Sequence, residues 1–270
     1  MLKIIVAFDG LHFSEGAMRM AAWLKERVPI MITGVFISPV DYRELLGYSG
    51  MGMGAPVFTM PGNDDEKMVD QTIKKFKTYC ETCGLEYNTH KDTNLFALAE
   101  LIKETRFADC LIISSELFYE NIDKEQPNEY LKRTLHESEC PVLLVPENFL
   151  EPRSVILSYD GKESSVFAIK QFAYLFGDCQ LSAMLFHASG DELPEKQRIY
   201  ELAARHYDPL TIEQLNNEDA RELKNWLTQN HHSILVSGAF GRSEVSSLFR
   251  KSYITDIIRA HKVPVFVAHK

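Results

Sequence analysis

The chain is 270 residues long, enough for two domains that each bury their own core. With 45% hydrophobic and 25% charged residues it has a globular rather than a disordered composition. A net charge of −9 argues against a general nucleic-acid or anionic-membrane role, because phosphate backbones reward the opposite sign, and no apolar run approaches the roughly 20 residues that a membrane span needs.

Met1-Leu2-Lys3 leads directly into Ile4–Phe8, an apolar run that reads as a strand and is too short for a signal-peptide core. Five scattered cysteines are an odd set, unlike a disulfide framework, so the expected location is the cytoplasm. The strand stops at Asp9-Gly10, a turn signal, and residues 14–27 then carry Ala17, Met20, Ala21 and Leu24 at helical spacing. Strand Ile30–Ile37, a helix over about 65–82 and a strand near Glu86–His90 follow. A helix over about 94–106, strand Cys110–Ser114, a further helix and strand 141–145 complete the series. Glu147 to Arg153, with Pro146 and Pro152, reads as a linker.

Beyond the linker the order repeats. Val155–Tyr159 ends at Asp160-Gly161, and a helix over 164–177 carries Ala168, Phe172 and Leu175. Strand Leu181–His187, a helix over about 192–206 and a strand at Thr211–Leu215 follow. The series ends with a helix over about 218–229, Ser233–Ser237, a helix at Ser252–Ala260 and strand 264–268. Shifted by 151 positions, residues 3–38 lie on 154–189 without a gap, and Asp9-Gly10, Ser14 and Ala17 meet Asp160-Gly161, Ser165 and Ala168. Shifted by 123, residues 109–146 lie on 232–269, with Ser114 on Ser237, Tyr130 on Tyr253 and Pro141-Val142 on Pro264-Val265. The two offsets differ by 28, so the first copy carries 28 extra residues, mostly within 39–65.

Strands apolar on both faces and separated by helices imply an α/β fold: two tandem doubly wound, mainly parallel five-stranded sheets with helices on both faces, residues 1–147 and 153–270. Ligands of such sheets gather outside the carboxyl ends of the strands, where Asp9, Asp160, Ser114-Ser115 and Ser237-Gly238 fall. The segment Ser237-Gly238-Ala239-Phe240-Gly241 has two glycines three apart, which permits a tight turn with outward-facing amides. Ser252 opens a helical stretch and could cap it or hold a phosphate at its positive end, and Arg242, Arg250 and Lys251 surround the loop against one acid, Glu244. A plain strand-to-helix turn that needs glycine for its backbone angles accounts for the same residues.

These features together resemble the universal stress protein family in a tandem two-domain form, with the adenine nucleotide alpha hydrolase-like fold. Nucleotide-binding members have a strand ending in Asp. Near the C-terminus they have Gly, two residues, Gly, nine residues, Gly and Ser or Thr. Asp160, Gly238, Gly241 and Ser252 match that pattern, and Lys251 stands where the third glycine would be. The resemblance implies an adenine and ribose pocket at Ser158, Tyr159, Asp160 and Ala188. It implies a phosphate end at Gly238, Gly241, Arg250, Lys251 and Ser252, with Tyr253 alongside, and ATP with Mg²⁺ as ligand. It also implies an intramolecular pseudo-dimer through the terminal strands, with association of two chains as a further step.

The first copy departs from the pattern. Its aligned loop positions, Ser115, Phe118, Asn128 and Glu129, include no glycine, and Glu116, Glu120, Asp123, Glu125 and Glu129 face one Lys124. A triphosphate there meets like charge, so this copy is expected to bind no nucleotide and to serve as a scaffold or partner surface.

Other features have plain readings. Cys80-Glu81-Thr82-Cys83 has redox or zinc spacing but stands without a second pair, and Ser49–Gly54, glycines between methionines, suits a Met-rich insertion loop that adapts to a partner. His231-His232 reads as a turn, and Gly161-Lys162 lacks the upstream glycine of a Walker loop. No nucleophile elbow or zinc helix occurs, so binding without rapid turnover is expected. The alternatives are an interaction module that docks a protein or small ligand, and a slow ATPase.

Overall fold

The computed structural model describes residues 1–37, 63–92, 97–116, 129–187, 192–214, 226, 229–238 and 263–268. The first half runs β1 (Leu2–Phe8), α1 (Glu15–Lys25), β2 (Ile30–Ile37), α2 (Asn63–Cys83), β3 (Glu86–Asp92), α3 (Ala97–Thr105), β4 (Cys110–Ser114), α4 (Glu129–Glu137) and β5 (Val142–Val145). The second runs β6 (Ser154–Ser158), α5 (Glu163–Phe176), β7 (Ser182–His187), α6 (Lys196–Ala204), β8 (Leu210–Gln214), β9 (Ser233–Gly238) and β10 (Val265–Ala268). The expected helices over 218–229 and Ser252–Ala260 fall almost wholly outside the described residues, as does the insertion except for its last positions.

The ten described strands form one sheet in the order β3-β2-β1-β4-β5-β10-β9-β6-β7-β8. Each five-stranded half is parallel throughout, and the halves meet at a single antiparallel pair in which Val265, Phe266 and Val267 oppose Leu144, Leu143 and Val142. Apolar character on both faces follows from this architecture. Ile4, Val6 and Phe8 of β1 pack toward α1 and α2 with Ala17, Met20, Leu24 and Phe76, whereas Ile5 and Ala7 pack on the other face with Leu98, Leu101 and Leu135. The face under α1, α2, α5 and α6 is one continuous core across the seam, where Phe266 meets Phe172 and Phe176 edge-on at 5.1 and 6.0 Å.

The segment read as a linker is packed. Phe149 is 3% exposed, and Pro152 is also buried. The strand order reverses beside β1 and beside β6, which places two crevices, at the carboxyl ends of β1 and β4 and of β6 and β9.

Candidate functional site

In the second half, Ser158, Tyr159 and Asp160 leave the carboxyl end of β6, next to Ser237 and Gly238 at the end of β9. The sheet therefore brings four of the expected site residues to one edge: Ser158, Tyr159, Asp160 and Gly238. Ala188, Gly241, Arg250, Lys251, Ser252 and Tyr253 lie outside the described residues.

Tyr159 is held from both sides. Its amide donates to the Phe186 carbonyl at 2.9 Å, and its own carbonyl accepts from His187 Nδ1 at 2.8 Å. Burial, with smaller contributions from Glu195 and Asp160, pushes the phenol above its usual pKa range. Because a carbonyl can only accept, His187 donates from Nδ1, and its buried Nε2 has no partner among the described residues.

Asp160 makes an Asx turn, its Oδ1 accepting the Lys162 amide at 3.0 Å. Its Oδ2 lies 3.6 Å from Lys162 Nζ, and half of the side chain is exposed. Gly161 supplies the turn with φ +81°, a left-handed conformation. Helix α5 then begins at Glu163 with Lys162 as its N-cap and no side-chain cap, so its first amides have no side-chain acceptor from the cap. Gly238 is glycine for a packing reason that the sequence does not reveal. A Cβ there would stand 2.5 Å from Ser164 C and 2.6 Å from Ser165 N, so the bare α-carbon lets β9 abut the first turn of α5.

The first half builds the corresponding edge differently. Asp9 is 12% exposed and fully engaged: Oδ1 accepts the Leu11 and His12 amides at 3.0 and 2.8 Å, and Oδ2 meets His12 Nδ1 at 2.7 Å. Ser14 caps α1, its Oγ accepting the Ala17 amide at 3.0 Å. Glu147, the first residue of the connection, places its carboxylate over that cap, where Ser14 Oγ donates to Oε1 at 2.5 Å, Ser114 Oγ to Oε1 at 2.6 Å and the Gly16 amide to Oε2 at 3.0 Å. Sequence reading passed over Glu147 because its partners lie up to 133 residues away; no local signal could have found it.

Beside this edge, Leu11, His12 and Phe13 face Lys74, Thr78, Tyr79 and Cys83 of α2 across an open cleft of about 980 Å³. Cys80 is buried, which pushes its thiol up to about 12. Among the described residues no three His, Cys, Asp or Glu side chains are grouped to hold a metal, and no helix is long and apolar enough to cross a membrane. The acidic and basic loops expected after β4 and β9 lie almost entirely outside the described residues.

No family model and no curated protein matches the sequence. Among solved structures, a universal stress protein from Archaeoglobus fulgidus DSM 4304 is similar over 100% of this chain and 96% of its own, with a TM-score of 0.71 at 14% identity. A functionally unknown protein from Pseudomonas aeruginosa PAO1 covers 100% of this chain and 92% of its own, with a TM-score of 0.50 at 15% identity. The first likeness extends from end to end in both molecules, and the fold of this chain is that of a universal stress protein.

Proposed function

We propose that the chain is a stress-response protein of the universal stress protein type whose second half binds an adenine nucleotide at the carboxyl ends of β6 and β9, without rapid turnover. The observation that carries this reading is the contrast between the two strand-end aspartates. Asp9 spends both oxygens on its own turn and on His12, whereas Asp160 keeps a half-exposed carboxylate whose Oδ2 has, among the described residues, only a long contact to Lys162. In the proposed complex Asp160 accepts from a ribose hydroxyl, and Ser158 and Tyr159, with Ala188 beside them, border the adenine. The phosphates, with Mg²⁺, draw on Gly238, Gly241 and Ser252 of the matched pattern and on Arg250, Lys251 and Tyr253 beside them in sequence. The two halves work as a pseudo-dimer in the cytoplasm, one binding and one structural.

Calorimetry with ATP and Mg²⁺ tests the reading. Saturable binding is expected, and Asp160→Ala weakens it by about tenfold or more, the loss of one hydrogen bond to a charged group. No heat with the intact chain rejects it, and steady phosphate release would turn the binder into an ATPase. The cleft beside α2 supports a second reading, in which the first half docks a small ligand or partner segment. Chemical-shift changes confined to His12, Phe13 and Tyr79 would favour that reading.

A further inference from the structure

The chain that leaves β5 does not simply pass to the second half. The Glu147 carboxylate is met by donors from two separate elements: Ser14 Oγ and the Gly16 amide at the start of α1, and Ser114 Oγ at the end of β4. Both hydroxyls are almost fully buried, at 2% and 1% exposure. Gly16 has no room for a side chain, because a Cβ would run into the Pro146 carbonyl and the Glu147 backbone. The main chain is fixed as well. The Glu147 carbonyl accepts from Arg19 at 2.6 Å, and the Arg19 guanidinium lies 4.9 Å from the centre of the buried Phe149 ring. One residue past the aligned stretch, the second half has Lys270 where the first has Glu147, a cation in place of an anion.

We propose that Glu147 is an intramolecular ligand of the first half. Its carboxylate occupies the anion position at the mouth of the β1/β4 crevice, keeps that crevice closed to other anions and fastens the connection to α1. Two hydroxyls, one amide and the positive end of a helix form a cradle suited to a small oxyanion, and the chain fills it with its own.

The test vacates the cradle in the full-length chain. Glu147→Ala lowers the melting temperature, and sodium formate at millimolar concentration restores part of the loss while leaving the unaltered chain unchanged. Inorganic phosphate then binds the variant saturably but not the unaltered chain. An equal response of both chains to formate overturns the proposal, as does a folded variant that responds to neither anion. If the alanine variant does not fold, Glu147→Gln keeps the shape and removes the charge. Trypsin should then cut after Arg153 roughly tenfold faster, as the loss of one charge-assisted hydrogen bond requires, and an unchanged rate overturns the proposal.

Discussion

Replacing Gly238 with alanine isolates packing from ligand chemistry at the carboxyl edge of β9. The added Cβ would stand 2.5 Å from Ser164 C, 2.6 Å from Ser165 N and 2.7 Å from Ser164 O, all main-chain atoms that no rotamer change can move. Ordinary contact needs about 3.4 Å or more, so strand or helix must shift by roughly 0.9 Å. The turn that would have to move also holds the Asp160 Oδ1 to Lys162 amide bond and the Ser165 Oγ to Lys162 carbonyl bond. Overpacking costs about 1–3 kcal/mol, and a purely backbone obstacle belongs in the upper half of that range. At about 2–4 °C per kcal/mol for a chain of this size class, the melting temperature falls by roughly 5–10 °C. Urea unfolding followed by circular dichroism measures the change, with Gly177→Ala as control. Among the described residues nothing lies within 4 Å of a Cβ at Gly177, which sits at a right-handed φ of −57°, so alanine there stabilises by about 0.4–1 kcal/mol. If Gly238→Ala unfolds no more easily than the parent, the packing account is wrong. If it lowers nucleotide affinity while stability holds, the glycine serves the ligand instead.

Two further outcomes follow from the core. Phe266→Ala empties a fully buried site flanked by Phe172 and Phe176 beside the seam, and should cost about 3–5 kcal/mol; a loss under about 1 kcal/mol in urea unfolding would mean that the seam is not part of the common core. Burial raises the thiols of Cys80 and Cys140 to about 12 and that of Cys179 to about 11, above an ordinary value near 9. The folded state thus holds protons that the unfolded chain releases, so this stability is complete below about pH 9 and drains away as pH climbs toward 11–12. A urea midpoint unchanged between pH 8 and about 10.5 would contradict it.

The central strands were legible because they are buried on both faces, as the apolar runs of β1, β4, β5 and β6 are. The Ile4–Phe8 run lacks only Leu2 and Lys3 of β1, and Val155–Tyr159 is displaced by one residue from β6. The polar β3, Glu86–Asp92, was expected near Glu86–His90 from its place after a helix rather than from its hydrophobicity. Helix α6 starts at Lys196 rather than near 192, because Leu193 turns into the core and Glu195 takes a left-handed φ of 48°. The connection was legible as a linker but its packing was not: Phe149 and Glu147 are anchored to α1 by contacts that span the first half. At the site, the strand-end aspartates were visible but their difference was not. It arises from His12 in one turn and Lys162 in the other, since one side chain closes on its carboxylate while the other stays largely in solvent.

The antiparallel pairing of β5 with β10 decides which surfaces a severed half would show. Expressed separately, one piece would carry Val142–Val145 and the other Val265–Ala268 as bare apolar borders, each with unpaired amides and carbonyls. Like pieces would then compete to zip with themselves. Covalent continuity removes that contest by enforcing unlike-with-unlike mating at one-to-one stoichiometry, so each side can specialise without losing its mate.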